Sequence, residues 1–317
     1  MLRRGMQFLI AVFVCVPCVA HATEMKDFAG TWALRLGARN VFVLRLVQDG
    51  ESMSGSWERP AKFSKMGDAF ANMRGGVRRD SVSHVRLTNG TLHFKVQNAS
   101  DPKDEDGYEM KLDGNRAALA FDDLQPADVA DFSSYERVGP EAKVALDWEP
   151  NRLYTPSDSD TPNLEMEAIF KEDQRVRLVV PIDWDAVNRT DPKRREQTKW
   201  LLARGELHTG KDFEEAAFLF QHGDTANDYL LAHTLAMVAV SKGDATAIWI
   251  AAATLDRYLE KIGQKQVFGT QYSGDAQDHW TQEPYDRELV SDALREQLGV
   301  PSQASQLMQL KAYESQK

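Results

Sequence analysis

The sequence predicts an α+β protein in two domains, an N-terminal antiparallel β-barrel or sandwich followed by a C-terminal all-α helical bundle. Three observations predict it. From Phe28 to about Val138, short β-rich runs alternate apolar and polar residues between turn signals. Beyond Leu164 the apolar period becomes that of a helix. Between the two lies a stretch rich in Pro, Asp and Ser. The chain is therefore expected to divide into a leader (1–22), a β domain (23–138), a linker (139–163) and a helical domain (164–317).

The leader reads as a signal peptide. "MLRRGMQFLIAVFVCVPCVAHA" has a basic start at Arg3 and Arg4 and an apolar run from Phe8 to about Val16. It closes on Ala20-His21-Ala22, an A-x-A cleavage signal, so cleavage is expected after Ala22. The apolar run is shorter than the roughly 20 residues that span a bilayer. Export follows, with the periplasm preferred over full release. Both cysteines, Cys15 and Cys18, lie inside the leader, so the remaining 295 of 317 residues contain none. A thiol nucleophile, thiolate ligands and disulfides are thereby excluded from the mature chain. Removing Arg3 and Arg4 from 38 basic residues leaves 36 against 48 acidic ones, a net charge near −12. Such a chain repels nucleic acid, and the absence of a second long apolar run argues against stable membrane insertion.

In the β domain, "TWALRL", "VFVLRLVQD", "SMSGSWE", "SVSHVRL", "TLHFKVQ", "YEMKLDG" and "RAALAFDD" read as strands. In the second of these, Phe42, Leu44 and Leu46 share one face with Gln48, and Val41, Val43, Arg45 and Val47 share the other. Asp49-Gly50, Asn89-Gly90 and Asp113-Gly114-Asn115 supply the hairpin turns. The stretch from Glu58 to Gly76 interrupts this rhythm and reads as a flap or loop. "DPKDEDG" and "PSDSDTP" read as solvated acidic loops. Within the linker, Trp148 and Tyr154 are candidate anchors to a domain.

Helices follow. "LEMEAIFKEDQRVRL" opens the second half, and "DPKRREQTKWLLARGEL" offers Asp191 as a cap with Pro192 at the first helical position. Phe213, Ala216, Ala217 and Phe220 make an apolar stripe, after which Gly223 ends the helix and Asp224 or Thr225 caps the next. "NDYLLAHTLAMVAVSKG" is apolar almost all round and reads as a central buried helix. Gly243-Asp244 then turns the chain into "ATAIWIAAATLDRYLEKIG". Such short connections join antiparallel neighbours.

Polar residues on apolar faces mark the candidate site. His233 lies in line with Tyr229, Ala236, Met237 and Val240, and Asp256 shares a stripe with Trp249, Ala252 and Leu259. A buried carboxylate needs a cation or several donors. For Asp256 these are His233, His222, Arg257 or the amide-rich loop "GQKQVFGTQY" (263–272), where Gln264, Gln266, Thr270 and Gln271 supply donors and Gly269 permits close backbone approach. The cluster also takes in Gln221 and Asp224. Convergent polar groups of this kind are the default site hypothesis. Three chemistries fit. His222 or His233 with Asp256 would make a general base for hydrolysis. Arginine with glutamine and threonine donors would clamp an anion. Two histidines with aspartate are a metal-binding set, but "QHGD" followed by His233 fits no ligand spacing, and no metal or other cofactor is predicted.

Four of these pieces, "EDQRVR" (172–177), "QHGD" (221–224), "LDRYL" (255–259) and "GQKQVFGTQY", resemble in order the motifs of an uncharacterised bacterial domain-of-unknown-function family, over roughly Leu164 to Gly299. The resemblance implies a helical fold and shared pocket residues at Asp173, Gln174, Arg177, His222, Asp256, Arg257, Gln266, Gly269, Thr270 and Gln271. It implies no reaction. "FAGTW" (28–32) is similar to the G-x-W signature that opens lipocalins, which would imply a tryptophan closing a barrel floor and a cavity for an apolar ligand. Read from the strand alone, Trp32 is a core residue. The expected function is binding of a small polar or anionic ligand in the helical domain. A His/Asp hydrolase and a non-catalytic interaction module are the alternatives, with a small molecule or a protein as partner and enzyme status open.

Overall fold

Eight antiparallel strands in the N-terminal part close into a barrel, as a computed structural model describes for residues 23–98, 101–121, 133–139, 144–275 and 279–315. The expected leader, the end of "RAALAFDD" at 122–123 and linker residues 140–143 lie outside the described residues. The strands run in chain order: β1 (Gly30–Leu36), β2 (Arg39–Asp49), β3 (Ser52–Met66), β4 (Ala69–Thr88), β5 (Thr91–Asn98), β6 (Asp101–Asp113), β7 (Arg116–Phe121) and β8 (Ser133–Val138). Each pairs with the next, and β1 meets β8 through Thr31 with Val138, Trp32 with Arg137 and Ala33 with Glu136. The Asn89-Gly90 turn puts both residues at positive φ, 51° and 77°, the conformation that a tight two-residue hairpin requires. Phe42, Leu44 and Leu46 face the core, and on the opposite face Val41 and Val43 are buried too, while Val47 is exposed.

The barrel interior is filled. Trp57 stacks on Phe42 at 5.5 Å, and Tyr108 packs against Trp57, Phe94 and Phe121. The cavity among these rings measures about 40 Å³, against the several hundred of a small-molecule site. An apolar cargo of the kind the G-x-W resemblance implies has no room there. Trp32 is fully buried, donates its indole N–H to Phe28 O at 2.9 Å and carries the Arg137 guanidinium 4.1 Å from its ring.

Two sequence expectations for the β part are corrected. Residues 58–76 form no loop: β3 and β4 continue as a two-stranded arm that turns at Gly67-Asp68. Register breaks around Lys62 disguise the alternation there. The acidic "DPKDEDG" begins β6, where Asp106 pairs with Val96 and Glu105 with Gln97. An exposed strand face tolerates charges as readily as a loop does.

The linker is anchored, as Trp148 and Tyr154 lead one to expect. Trp148 packs on the barrel core, and fully buried Tyr154 exchanges backbone hydrogen bonds with Phe70 at 2.8 and 2.9 Å. The segment also touches the helical region. Leu153 N donates to Ser241 O at 2.9 Å, and Lys242 pairs with buried Asp158, a residue the sequence placed in a solvated loop.

Among the described residues seven helices follow: α1 (Leu164–Leu178), α2 (Trp184–Ala203), α3 (Gly210–Phe220), α4 (Ala226–Ser241), α5 (Ala247–Lys261), α6 (Asp292–Gln297) and α7 (Gln303–Glu314), with two-residue strands β9 (Ser273–Gly274) and β10 (Trp280–Thr281) between α5 and α6. None among the described residues is long and apolar enough to cross a membrane. Thr209 and Thr225 close capping boxes with Asp212 and Asp228 at the starts of α3 and α4. Two helix readings are corrected. α2 starts at Trp184 under an Asp183 cap, not at Asp191, so Pro192 is interior. The amide that proline lacks removes one helical bond, and Asp191 beside it pairs with Arg177 of α1 and with Arg194 within α2. α4 is not buried all round. Ala232, Leu235, Ala236 and Ala239 face the core, whereas Leu230 and Met237 are 41% and 57% exposed.

Candidate functional site

The residues singled out by sequence separate into two clusters. The first gathers around Asp256, which is fully buried on α5. Its Oδ1 accepts from the backbone N–H of Val267 and Phe268 at 2.8 and 3.0 Å, and its Oδ2 from Thr270 N and Oγ1 at 2.9 and 2.7 Å. Neither histidine shares in this. Of the donors the sequence offered, Thr270 alone bonds the carboxylate among the described residues; backbone N–H groups of the loop supply the rest, and the Gln266 and Gln271 side chains bond elsewhere.

The rest of "GQKQVFGTQY" is bonded just as tightly. The Gln266 side chain bridges Gln271 and Gln282: its Nε2 donates to both carbonyls and its Oε1 accepts from Gln271 N at 3.0 Å. Gln271 Nε2 reaches Ala253 O at 3.2 Å. Gly269, at φ +71°, presses so close to Tyr285 and Gln306 that a Cβ there would lie 2.6 and 2.5 Å from them. Beneath the loop, fully buried Arg295 donates to the carbonyls of Phe268 and Val267, and Gln306 Nε2 donates to Phe268 O at 2.7 Å. Sequence reasoning missed Arg295, Gln282 and Gln306. They come from short polar segments without an apolar stripe to mark them as inward.

The second cluster joins α1, α2, the α3–α4 turn and α5 around His222. Asp173 and Arg177 stand one helical turn apart on α1, so their side chains meet, with Arg177 Nη1 at 2.6 Å from Asp173 Oδ1. Gln174 Nε2 donates to the other oxygen at 3.0 Å. Arg177 continues to Asp191 on α2, whose second oxygen accepts from Arg194 at 2.7 Å. Arg195 donates to His222 O at 2.6 Å and to Asp224 Oδ2 at 2.9 Å. Gln221 is buried at the C-cap of α3, its backbone N–H bonded to Ala217 O. Arg194 and Arg195 went unnoticed in the sequence because adjacent arginines resemble a solvated face. Their i+3 and i+4 spacing from Asp191 was the available signal.

Electrostatics set this cluster apart. The His222 ring, three-quarters buried, lies 3.7 Å from Asp173 Oδ2. Burial, and then the positive fields of Arg177, Arg257, Arg195 and Arg194, push its pKa down to about 3, so the imidazole is neutral at physiological pH. Burial raises Asp173 to about 6 against the pull of Arg177, with the like charge of Asp191 adding to the rise. Arg257, from the "LDRYL" motif, is partly buried on α5. Its Nε is sequestered from water with no hydrogen-bond partner among the described residues. His233 belongs to neither cluster. Its Nδ1 lies 2.9 Å from Ala251 O, and it faces a separate apolar cleft.

Of the residues expected to form one pocket, Asp256, Gln266, Gly269, Thr270 and Gln271 thus meet in one knot. Asp173, Gln174, Arg177, His222, Asp224 and Arg257 gather at the other cluster, and His233 stands apart. Comparison with protein-family models, with curated sequences and with solved structures gives no match.

Proposed function

We propose that the helical region binds a small anionic ligand where Arg177, Arg195 and Arg257 converge on His222. The observation that carries this reading is Arg257, a guanidinium whose Nε is removed from water and left without an acceptor, beside a neutral imidazole and other arginines. A donor in that condition is costly unless something accepts from it. Carboxylate or phosphate oxygens suit a guanidinium fork. Clamping of an anion is also better supported than hydrolysis. Asp256 spends its lone pairs on residues 267–270, and His222, held neutral by its surroundings, is a weak base. The membership of residues 164–299 in the bacterial domain-of-unknown-function family, on the strength of the four ordered motifs, is part of the same proposal. So is export by the leader, which puts the ligand outside the cytoplasm.

The test is thermal unfolding of the chain from Thr23 to Lys317 with sulfate, inorganic phosphate or citrate, at ionic strength matched with chloride. A ligand at 100 times its Kd adds about 2.7 kcal/mol of stability. At least one anion is expected to raise Tm in the parent and not in Arg257→Gln. No shift with any of the three, or an undiminished shift in the variant, refutes the proposal.

A further inference from the structure

A second concavity in the helical region differs in kind from the arginine cluster and shares no residue with it. α4, α5, the loop after α5 and the residue following α6 enclose a cleft of about 320 Å³ walled by His233, Met237, Ile248, Ala252, Phe268 and Leu298. The volume lies in the range of small-molecule sites. It is also where α4 departs from the burial its sequence predicts, since Met237 is left 57% exposed.

The polar group that gives this cleft a direction is the His233 ring. Its Nδ1 lies 2.9 Å from Ala251 O. A carbonyl oxygen only accepts, so Nδ1 carries the hydrogen, and in the neutral ring Nε2 is an acceptor. Nε2 makes no hydrogen bond among the described residues. The other polar side chain in the lining, Ser241, turns its hydroxyl back to Val238 O at 2.8 Å. No cation lines the walls, so a carboxylate entering here would lose its water without compensation. A polypeptide would bring backbone donors and acceptors that these walls do not match.

We propose that this cleft binds a small, uncharged and mainly apolar molecule bearing one hydroxyl group, which donates its hydrogen bond to His233 Nε2. Four separate chain segments form the walls, which suits a compact molecule better than the flat face of a protein partner.

The experiment is calorimetric titration of the full chain with para-propylphenol and with its methyl ether, para-propylanisole. The ether keeps the ring, the propyl chain and the oxygen and adds one methyl, and only the phenol has a hydrogen to give. The phenol is expected to bind about tenfold more tightly, the net worth of one hydrogen bond exchanged for water. In His233→Leu, which keeps the cleft apolar, the two affinities are expected to converge. Histidine-ring nitrogen NMR of the unaltered chain gives a readout that needs no variant: the phenol shifts the His233 Nε2 resonance and the ether leaves it in place. Equal affinity of phenol and ether for the unaltered chain overturns the proposal. So does a phenol preference that survives in His233→Leu, or failure of both compounds to bind at their solubility limits.

Discussion

Replacing Asp256 by Asn changes one atom and keeps the shape, so its effect isolates what the carboxylate does. Four donors converge on the two oxygens at 2.7 to 3.0 Å, three of them backbone N–H groups. An amide can present its oxygen to only one pair. In the cheaper orientation the NH₂ replaces Oδ2. The Thr270 hydroxyl then rotates to accept, but Thr270 N–H faces another donor. A buried donor left unsatisfied costs about 1–3 kcal/mol, and each remaining bond falls from the charge-assisted range of about 1.5–3 to the neutral one of about 0.5–1.5 kcal/mol. Together these give a destabilisation of about 4 kcal/mol for Asp256→Asn. Urea unfolding followed by the far-ultraviolet helix signal measures it, with an unchanged m-value showing that the same surface is exposed. A loss below about 1 kcal/mol would refute the reasoning and return Asp256 to the pool of ligand-binding groups, for which removal is nearly neutral or stabilising.

Other outcomes are expected on the same footing. Gly269→Ala should cost well over 2 kcal/mol, because a Cβ meets Tyr285 and Gln306 as well as an unfavourable φ, whereas Gly263→Ala, at φ +75° with nothing within 4 Å, should cost only about 1 kcal/mol in the same urea assay. Folding lowers the pKa of His222 from 6.5 to about 3, so within that window the unfolded chain binds the extra proton and stability falls on acidification by up to about 1.4 kcal/mol per pH unit. Asp173, raised to about 6, acts in the opposite sense, gaining stability as pH falls from about 6 towards 4. Stability measured against pH should therefore fall less steeply in His222→Gln than in the parent below pH 6.5, and identical slopes would contradict the assignment. Arg137→Met removes a cation from the Trp32 ring and a donor from Ala29 O, so a loss of about 2 kcal/mol is expected in urea unfolding read from the near-ultraviolet tryptophan bands.

Much of the architecture was legible because period and punctuation agree. The inward set Phe42, Leu44 and Leu46, the Asn89-Gly90 turn and the Ala216, Ala217 and Phe220 stripe each state a local preference that the fold keeps. The arm at 58–76 was not legible, since its register breaks and its two-stranded pairing leave no clean alternation. Pro192 misled for a related reason: it is a strong local signal for a helix start, yet the helix already begins at Trp184 under the Asp183 cap. At the candidate site the residue types were readable but their grouping was not. Asp256 and Arg257 are neighbours in sequence, yet on a helix they diverge by about 100°, and each enters a different cluster. The loop that meets Asp256 lies only 11 to 14 residues on, whereas His222 and Arg177, on the Arg257 side, lie 35 and 80 residues back.

The β3–β4 arm has a consequence for how copies of the chain treat one another. β2 pairs with β3 only as far as Glu58 and β5 with β4 only from Ser81, so between them each strand of the arm has a flank outside the barrel's ladder, apart from the bridge of Phe70 to Tyr154. Such a flank is an invitation to intermolecular sheet extension and, from there, to fibrils. Pro60 sits two residues past Glu58 and withholds an amide, and Lys62, Lys65, Arg74, Arg78 and Arg79 scatter charge along the arm. The arm therefore carries its own gatekeepers, and a chain in which Pro60 and the two lysines became β-formers such as threonine and valine would be expected to associate edge to edge while the barrel itself stays intact.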